Sequence, residues 1–233
     1  MQLFYQPEIH NGVHELNKEE SVHCAKVLRK QVGDIINVVD GRGTLFEVRL
    51  TEAKAKKCSF SIVGHKREPE KDFYIQIAIA PTKNIDRIEW FVEKAVEIGV
   101  DEISFFFGRH SERKSLKLDR IERKAVAAMK QSEKYALPSI NLHDSFEQLT
   151  GLIPNNCFKF IAHVDKTNPL HLMDAAIKGD RYCVFIGPEG DFSPEELEFA
   201  KSHKFTPVSL GPSRLRTETA GVVACHSLNL LNL

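Results

Sequence analysis

Hydrophobic and polar residues follow two different rhythms along this chain. The first part reads mostly as strands, at Ile35 to Asp40, Thr44 to Thr51 and Lys57 to Val63. One helix precedes them, with Asn17 at the N-cap position, Glu20 three residues later and an end near Gly33. This pattern predicts a small β unit that contains one helix.

The segment His65 to Asp72 (HKREPEKD) is polar, contains a proline and has few side chains that could enter a core. Such composition is typical of a connection between domains. We therefore expect a β domain over residues 1–70 and a second domain over residues 71–233.

After this segment, strand-like runs alternate with helical ones. The predicted pairs are Phe73 to Ala80 and Ile85 to Ile98; Ile103 to Phe107 and Asp119 to Lys134; Phe158 to Val164 and Pro169 to Lys178; Tyr182 to Ile186 and Pro194 to His203; Thr206 to Leu210 and Thr217 to Leu231. Alternation of this kind indicates right-handed βαβ crossovers and a parallel sheet covered by helices on both faces. The expected fold class is α/β.

The cysteine content and the lengths of the apolar runs indicate the cellular compartment. The five cysteines are odd in number, widely separated and form no C-x-x-C pair, which argues against a disulfide framework and against a zinc site. No apolar run approaches the roughly 20 residues that a membrane-spanning helix needs, and no signal-peptide pattern follows Met1. We expect a cytoplasmic protein with reduced thiols.

Charge cancels overall, with 32 basic and 32 acidic side chains, but it is unevenly distributed. Between Phe107 and Lys134 nine basic residues face four acidic ones, and Arg109, Arg113 and Lys134 are the candidates there for phosphate contacts. On the N-terminal helix, Lys26, Arg29 and Lys30 have the i, i+3, i+4 spacing of one face. Both sets are compatible with RNA binding and also with a solvated helix face.

Two turns after predicted strands carry unusual chemistry. The first, Ile186 to Phe192 (IGPEGDF), precedes a helix start with Ser193 as N-cap, Pro194 at N1 and Glu196 as capping-box partner. The second, Leu210 to Gly221 (LGPSRLRTETAG), is longer than a simple connection and densely polar. Each either lines a ligand site or only joins strand to helix, with Thr217 or Thr219 capping the last helix.

Several enzyme classes lose support because their motifs are absent from the sequence. There is no G-x-G-x-x-G after the first strand of the second domain, no P-loop, no G-x-S-x-G and no H-E-x-x-H. The ten histidines lack metal-ligand spacing, and His163, at a strand end, is interpreted as a packed or hydrogen-bonded residue. No metal is assigned.

Taken together, several segments closely resemble the RsmE family of SPOUT-class methyltransferases, which act on small-subunit ribosomal RNA. They are His23 to Arg29 (HCAKVLR), Gly33-Asp34, Asp40 to Gly43, Glu93 to Val100, Gln131-Ser132, Ile186 to Gly190 (IGPEG) and Leu210 to Ala220 (LGPSRLRTETA). The order and spacing match from near the N-terminus to the last helix. One departure is Glu133-Lys134, where many relatives have glycine and arginine.

The resemblance implies an N-terminal PUA-like β-barrel that holds RNA and a trefoil-knotted α/β domain that binds S-adenosylmethionine. It also implies methylation of uridine N3 in 16S ribosomal RNA by a homodimer. The implied cofactor residues are Gly187, Glu189, Gly190, Leu210, Gly211, Leu215, Arg216, Thr217 and Thr219, with Arg216, ahead of Glu218, as catalytic candidate.

Uridine N3 carries a proton that must leave during methylation. Glu218 and Glu189 are candidate bases, while Arg216 or Arg214 could stabilise the uracil anion. Two other interpretations stay open: a SPOUT enzyme acting on transfer RNA or on a ribose 2′-hydroxyl, and a non-catalytic RNA-binding assembly factor.

Overall fold

A computed structural model of the chain describes residues 1–163 and 170–233. Its contacts divide the chain into two compact units. The first contains Met1–Glu70 and Val126–Leu137, and the second contains Lys71–Ala125 and Pro138–Leu233. The predicted strand end at Val164 and the predicted helix start at Pro169 lie outside the described residues.

The first unit is built on a four-stranded sheet in the order β1-β2-β3-β4. Strands β1 and β2 are parallel, and the other neighbours are antiparallel. The strands are β1 (Leu3–Tyr5), β2 (Ile35–Val39), β3 (Thr44–Lys54) and β4 (Lys57–Arg67). The three predicted strands are confirmed, and β1 was not predicted. Strand β4 extends into the segment His65 to Asp72, which was interpreted as a connection between domains.

Helix α1 (Lys18–Val22) begins as predicted, because the Asn17 side chain accepts a hydrogen bond from the Glu20 amide at 2.9 Å. Its continuation differs from the prediction. A π-helical turn spans His23–Val27, the helix ends at Leu28, and Arg29 adopts a left-handed φ of 53°. The prediction that Lys26, Arg29 and Lys30 share one helical face is therefore wrong, because the chain has already left the helix.

The second unit contains a six-stranded parallel sheet in the order β10-β8-β9-β5-β6-β7. Its strands are β5 (Tyr74–Ile79), β6 (Glu102–Phe106), β7 (Ser139–His143), β8 (Phe158–Ala162), β9 (Arg181–Ile186) and β10 (Thr206–Val208). Five of the six follow the prediction. Strand β7 was missed, and β10 is shorter than expected.

Helices cover both faces of this sheet. The helices that follow β5 along the chain are α2 (Ile85–Ile98), α3 (Leu118–Gln131), α4 (Phe146–Leu152), α5 (Leu172–Ala175), α6 (Pro194–Ser202) and α7 (Thr217–Leu231), and α3 from Val126 onward belongs to the first unit. Helix α7 packs on α2 and on strands β5 and β9, whereas α4 packs on α6 and on strands β6 and β7. Helices α2 and α7 have the predicted bounds. Helix α4 was missed, and α5 is shorter than the predicted Pro169 to Lys178.

Successive side chains of β5 point to opposite faces of the sheet and contribute to a separate hydrophobic core on each face. Ala78 belongs to the aromatic cluster that contains Phe106, Phe146 and Phe185, whereas Ile79 lies on the opposite face. There, Gly221 of α7 lies against Ile79 and Phe91. After β10, at the edge of the sheet, the chain therefore returns to the centre to form α7.

All five cysteines are free thiols, and four of them are buried. Burial raises the pKa of the Cys24 thiol to about 12 and that of the Cys157 thiol to about 11. Within residues 1–163 and 170–233, no helix is both long and apolar enough to cross a membrane. The same residues contain no cluster of three or more His, Cys, Asp or Glu side chains placed to hold a metal ion.

Candidate active site

A cavity of about 560 Å³ opens at the carboxyl ends of β8, β9 and β10. In open parallel sheets this edge is where ligands bind, because the loops after the strands converge there. Its lining comes from the β9–α6 loop, from the long β10–α7 loop, from the end of β8 and from Arg87 of α2.

Most of the residues predicted for cofactor binding and catalysis line this cavity. They are Gly187, Glu189, Leu210, Gly211, Leu215, Arg216, Thr217 and Glu218. Gly190 and Thr219 are not among the lining residues. Four polar or charged lining residues were not proposed as site residues from the sequence: Arg87, His163, Asp191 and Ser209. Position at a strand end was the available signal for His163.

The two predicted loops are joined by one side chain. Thr217, which is 7% exposed, donates its hydroxyl hydrogen to the Gly187 carbonyl at 3.1 Å. The N-cap of α7 is Arg216, and it makes no side-chain capping bond. The alternative that Thr217 serves as helix cap is therefore wrong: its hydroxyl connects the β10–α7 loop to the β9–α6 loop.

Close packing explains two of the glycines. A Cβ atom at Gly187 would lie 3.1 Å from the Phe192 ring, and one at Gly190 would lie 3.0 Å from the His110 Cβ atom. Nδ1 of His110 is 3.1 Å from the Gly190 carbonyl oxygen. Gly190 thus allows the β6–α3 loop to pack closely against the β9–α6 loop.

Glu189 is held by the loop that follows β5. Its Oε1 atom accepts a hydrogen bond from the Lys83 amide at 3.0 Å. Arg113 fixes the same loop, since Nε donates to the Thr82 carbonyl at 2.9 Å and Nη2 donates to the Lys83 carbonyl at 2.6 Å. Arg113, predicted to contact RNA, therefore has its described hydrogen bonds within the protein and positions the backbone that holds Glu189.

The cavity contains two carboxylates with unmatched oxygens. Glu218 is 6% exposed, and its Oε1 atom lies 3.7 Å from Nε of Arg87. Oε2 of Glu218 and Oε2 of Glu189 are buried and have no hydrogen-bond partner in the described part of the chain. A buried acceptor without a donor is costly, by about 1–3 kcal/mol. Both atoms are therefore suited to accept hydrogen bonds from a ligand.

A histidine and an aspartate form a pair on the cavity wall. Nδ1 of His163 is 3.0 Å from Oδ2 of Asp191, and both residues line the cavity. Asp191 adopts a left-handed φ of 62°, and its Oδ1 atom accepts a hydrogen bond from the Phe192 amide at 2.8 Å. The prediction that His163 is hydrogen-bonded is confirmed.

The helix start after the β9–α6 loop matches the prediction. Ser193 and Glu196 form the capping box, with Pro194 at the first helical position. Oε1 of Glu196 also accepts a hydrogen bond from the Arg109 amide at 3.0 Å. The hydrogen bond from the Ser193 hydroxyl to the exposed Glu195 carboxylate lowers the pKa of Glu195.

Intramolecular ion pairs reduce the positive charge of the basic stretch. Arg109 lies 3.7 Å from Glu195, while the other pairs are Arg120 with Asp86 and Glu89, Lys124 with Glu93, and Lys130 with Glu20. Lys134 follows Glu133, which has a left-handed φ of 57°, in the backbone region that favours glycine. The net local charge is thus smaller than the sequence count suggested.

Comparison with known proteins shows the family to which this chain belongs. Residues 69–229 match the family model described as an RNA methyltransferase domain, and residues 16–63 match an RNA methyltransferase PUA domain. Ribosomal RNA small subunit methyltransferase E of Mesomycoplasma hyopneumoniae is 30% identical over 75% of this chain and 77% of that protein. The chain belongs to the RsmE family of RNA methyltransferases.

Other relatives extend over nearly the whole chain. The enzyme of the same name from Buchnera aphidicola (Acyrthosiphon pisum) is 27% identical over 95% of this chain and 89% of its own length. A probable rRNA-methyltransferase from Porphyromonas gingivalis has a TM-score of 0.92 and 43% identity, with 99% of each chain covered. The expected fold, a SPOUT-type parallel-sheet domain preceded by a PUA domain, is confirmed.

Proposed function

We propose that this RsmE-family member transfers a methyl group from S-adenosylmethionine to uridine N3 in 16S ribosomal RNA, during maturation of the small ribosomal subunit in the cytoplasm. The observation that carries this proposal is the cavity at the ends of β8 to β10, lined by both loops that resemble the family's cofactor loops. Its volume of about 560 Å³ lies within the range of small-molecule sites.

The residues of the cavity fit the cofactor chemically. The unmatched Oε2 atoms of Glu189 and Glu218 are acceptors for ammonium or ribose hydroxyl donors. Leu210 and Leu215 supply apolar surface for a purine ring. A Legionella pneumophila structure described as a methyltransferase in complex with SAM is 25% identical, with a TM-score of 0.86 over 100% of this chain. When bound, S-adenosylmethionine supplies an electrophilic methyl group.

The chain's own residues have two tasks at the reacting nitrogen. They must stabilise negative charge on the uracil as N3 loses its proton, and they must hold N3 in line with the methyl group. Arg216 and Arg214 are exposed residues of the cavity lining, and a guanidinium can pair with a uracil carbonyl oxygen. We assign charge stabilisation to Arg216.

RNA binding is assigned to the first unit, to which Lys134 also belongs, and to Arg109 of the second. We propose that residues 1–70 act as the PUA-like RNA-binding domain and residues 71–233 as the methyltransferase domain, with Lys26, Arg29, Lys30, Lys134 and Arg109 binding phosphates. Replacing Lys26, Arg29 and Lys30 with alanine should weaken RNA binding and reduce the slope of log K against log salt by about one unit for each phosphate that is no longer neutralised.

We further propose a homodimer in which α7 lies near the contact. Leu230, in the last turn of α7, is 51% exposed, as expected of an apolar side chain that a partner would cover. Light scattering at micromolar concentration should report twice the chain mass. A monomer with full activity would contradict this proposal.

The deciding experiment locates the methyl group. Purified protein is incubated with isotope-labelled S-adenosylmethionine and, in parallel reactions, with 30S subunits, 16S RNA or transfer RNA from a strain that lacks the gene, and the RNA is digested for mass spectrometry. We expect 3-methyluridine at one site. Methylated ribose, or methylation of transfer RNA instead, would support the alternative SPOUT substrates, and no transfer with intact RNA binding would support an assembly factor.

A further inference from the structure

The His163–Asp191 pair lies on the cavity wall, and neither residue belongs to the buried core. We propose that His163, oriented by Asp191, is the base that removes the proton from uridine N3. This assignment rests on the proposed function, because it names the proton acceptor of that reaction.

Position is the first argument. His163 directly follows β8, at the sheet edge where the cavity opens, and it lines the cavity together with Ala162. Its side chain is 23% exposed and that of Asp191 is 33% exposed. The ring is thus partly shielded from solvent but still accessible to a ligand in the cavity.

Hydrogen bonding within the pair is the second argument. Oδ1 of Asp191 is fixed by the Phe192 amide at 2.8 Å, and Oδ2 lies 3.0 Å from Nδ1 of His163. A carboxylate is an acceptor, so this contact selects the tautomer in which Nδ1 carries the hydrogen. Nε2 then carries the lone pair and can accept a proton, while the carboxylate stabilises the imidazolium that results.

The backbone around Asp191 is also well defined. Its φ of 62° lies in the left-handed region, which Asp tolerates better than most residues. Phe192 is 4% exposed and belongs to the aromatic core, while the Asp191 carbonyl oxygen lies 3.1 Å from Nδ1 of His110. The carboxylate is therefore presented to His163 from a loop that is held at both sides.

Chemistry favours imidazole over the two glutamates. Free imidazole has a pKa of about 6.5 and free carboxylates have values of about 4, so imidazole is the stronger base for a weakly acidic N–H group at neutral pH. Glu189 and Glu218 are already assigned to the donors of the cofactor. Their unmatched oxygens provide binding, and His163 supplies the basic nitrogen.

The step balances without any further reactant. The N3–H bond breaks and its proton passes to Nε2 of His163. The nitrogen's electron pair forms the bond to the methyl carbon, and the electrons of the carbon–sulfur bond remain on sulfur. The imidazolium returns its proton to solvent once the product has left.

The main test compares His163→Gln with wild type in single-turnover methylation at saturating cofactor and RNA. We expect the rate to fall about 100-fold or more, as is usual when a general base is removed. The dissociation constant for S-adenosylhomocysteine, measured by calorimetry, should change less than about threefold. The control is His203→Gln, at the exposed end of α6, which should keep the wild-type rate.

Two further measurements separate a base from a structural residue. Fluorine at C5 of uridine acidifies N3, so RNA with 5-fluorouridine at the target should reduce the defect of His163→Gln by at least tenfold. In the protein without ligand, ¹⁵N NMR of the imidazole should show Nδ1 protonated. Asp191→Gly, which tolerates the left-handed backbone, should shift this ring toward the other tautomer and lower the methylation rate.

The outcomes are distinct. A His163→Gln enzyme that methylates ordinary RNA within threefold of the wild-type rate overturns the assignment. A defect that is the same with 5-fluorouridine RNA also overturns it, since it would reflect structure only. Wild-type protein that leaves N3 unmethylated refutes the proposed function itself, whatever the imidazole NMR spectrum shows.

Discussion

Helix α7 depends on a glycine at its closest approach to α2. A Cβ atom at Gly221 would lie 2.6 Å and 2.8 Å from two ring carbons of Phe91, and 3.1 Å from Cδ1 of Ile79. Carbon atoms in ordinary contact are about 3.5–4.0 Å apart, so Gly221→Ala creates an overlap of nearly 1 Å. Phe91 and Ile79 are fully buried, and neither ring nor methyl group can move into solvent.

The magnitude follows from two opposing effects. Overpacking of a core costs about 1–3 kcal/mol, whereas alanine in place of glycine favours a helix by up to about 1 kcal/mol. We expect Gly221→Ala to lower the free energy of unfolding by about 1–2 kcal/mol. Gly151 of α4 is the matched control, because a Cβ atom there meets nothing within 4 Å and the position is exposed. Gly151→Ala should be neutral or stabilising.

Urea denaturation followed by circular dichroism measures both changes, and calorimetry with S-adenosylhomocysteine gives the functional consequence. The first turn of α7 contains Thr217 and Glu218, which line the cavity, so a displaced helix should weaken ligand binding severalfold. If Gly221→Ala unfolded at the same urea concentration as Gly151→Ala, the packing argument would be refuted.

Three further changes test other contacts. Thr217→Val keeps the shape but leaves the Gly187 carbonyl without its donor, so it should destabilise the protein by about 1–3 kcal/mol in thermal unfolding and weaken S-adenosylhomocysteine binding in calorimetry. Arg113→Lys retains charge but loses the two-point contact with the Thr82 and Lys83 carbonyls, so calorimetry should show weaker cofactor binding while the salt slope for RNA is unchanged. Burial raises the pKa of Asp40, but hydrogen bonds from the Thr44 and Arg42 amides outweigh burial and lower it. The contribution of Asp40 to stability is therefore present above about pH 4 and is lost as pH falls through the lower folded pKa. Acid titration of unfolding should show a smaller loss of stability for Asp40→Asn than for wild type.

Local signals explain which elements were predictable. At the start of helix α2 the Asn84 side chain accepts a hydrogen bond from the Asp86 amide, and the helix ends at Gly99, whose φ is 118°. Both features belong to the sequence itself, and the predicted bounds Ile85 to Ile98 are those observed. Helix α7 was also predictable, because its apolar run starts directly after a polar loop.

The missed elements are short and depend on their neighbours. Strand β1 has three residues, and β7 is a five-residue edge strand in which no residue is fully buried, although polar and apolar residues alternate along it. Helix α4 has seven residues, and its Phe146 becomes part of the aromatic core only when Phe106 and Phe185 are brought to it. Such pieces gain their stability from tertiary packing, which periodicity does not encode.

The end of the N-terminal helix shows the same limit. Its residues to Leu28 have helical character, but the Leu28 amide bonds to the His23 carbonyl, five residues back, and the Lys30 amide bonds to the Cys24 carbonyl. A single π turn shifts every later side chain around the helix axis. Spacing in the sequence could therefore not give the relative directions of Lys26 and Lys30.

The sequence predicted which two loops form the site, and the structure showed which groups their side chains contact. Resemblance to the family located Glu189 and Thr217 but not their partners. The Lys83 amide reaches Glu189 because β9 lies beside β5, and Thr217 reaches the Gly187 carbonyl because α7 packs on β9. His163 is separated in sequence from both loops and reaches the cavity because β8 lies between β9 and β10.

In the basic stretch after β6, contacts within the protein determine which cations are available to bind RNA. A cation that hydrogen-bonds two backbone carbonyls, as Arg113 does, or that pairs with a carboxylate, as Lys124 does with Glu93, must give up that interaction before it can bind a phosphate. An ion pair that stays accessible to solvent is worth about 1 kcal/mol or less, and the Lys124 and Glu93 side chains are 34% and 33% exposed, so Lys124 could exchange partners at small cost. Arg113 would leave two carbonyl oxygens without their donor, which costs more. Loss of RNA affinity should therefore follow mutation of the exposed cations, and loss of cofactor affinity should follow mutation of Arg113.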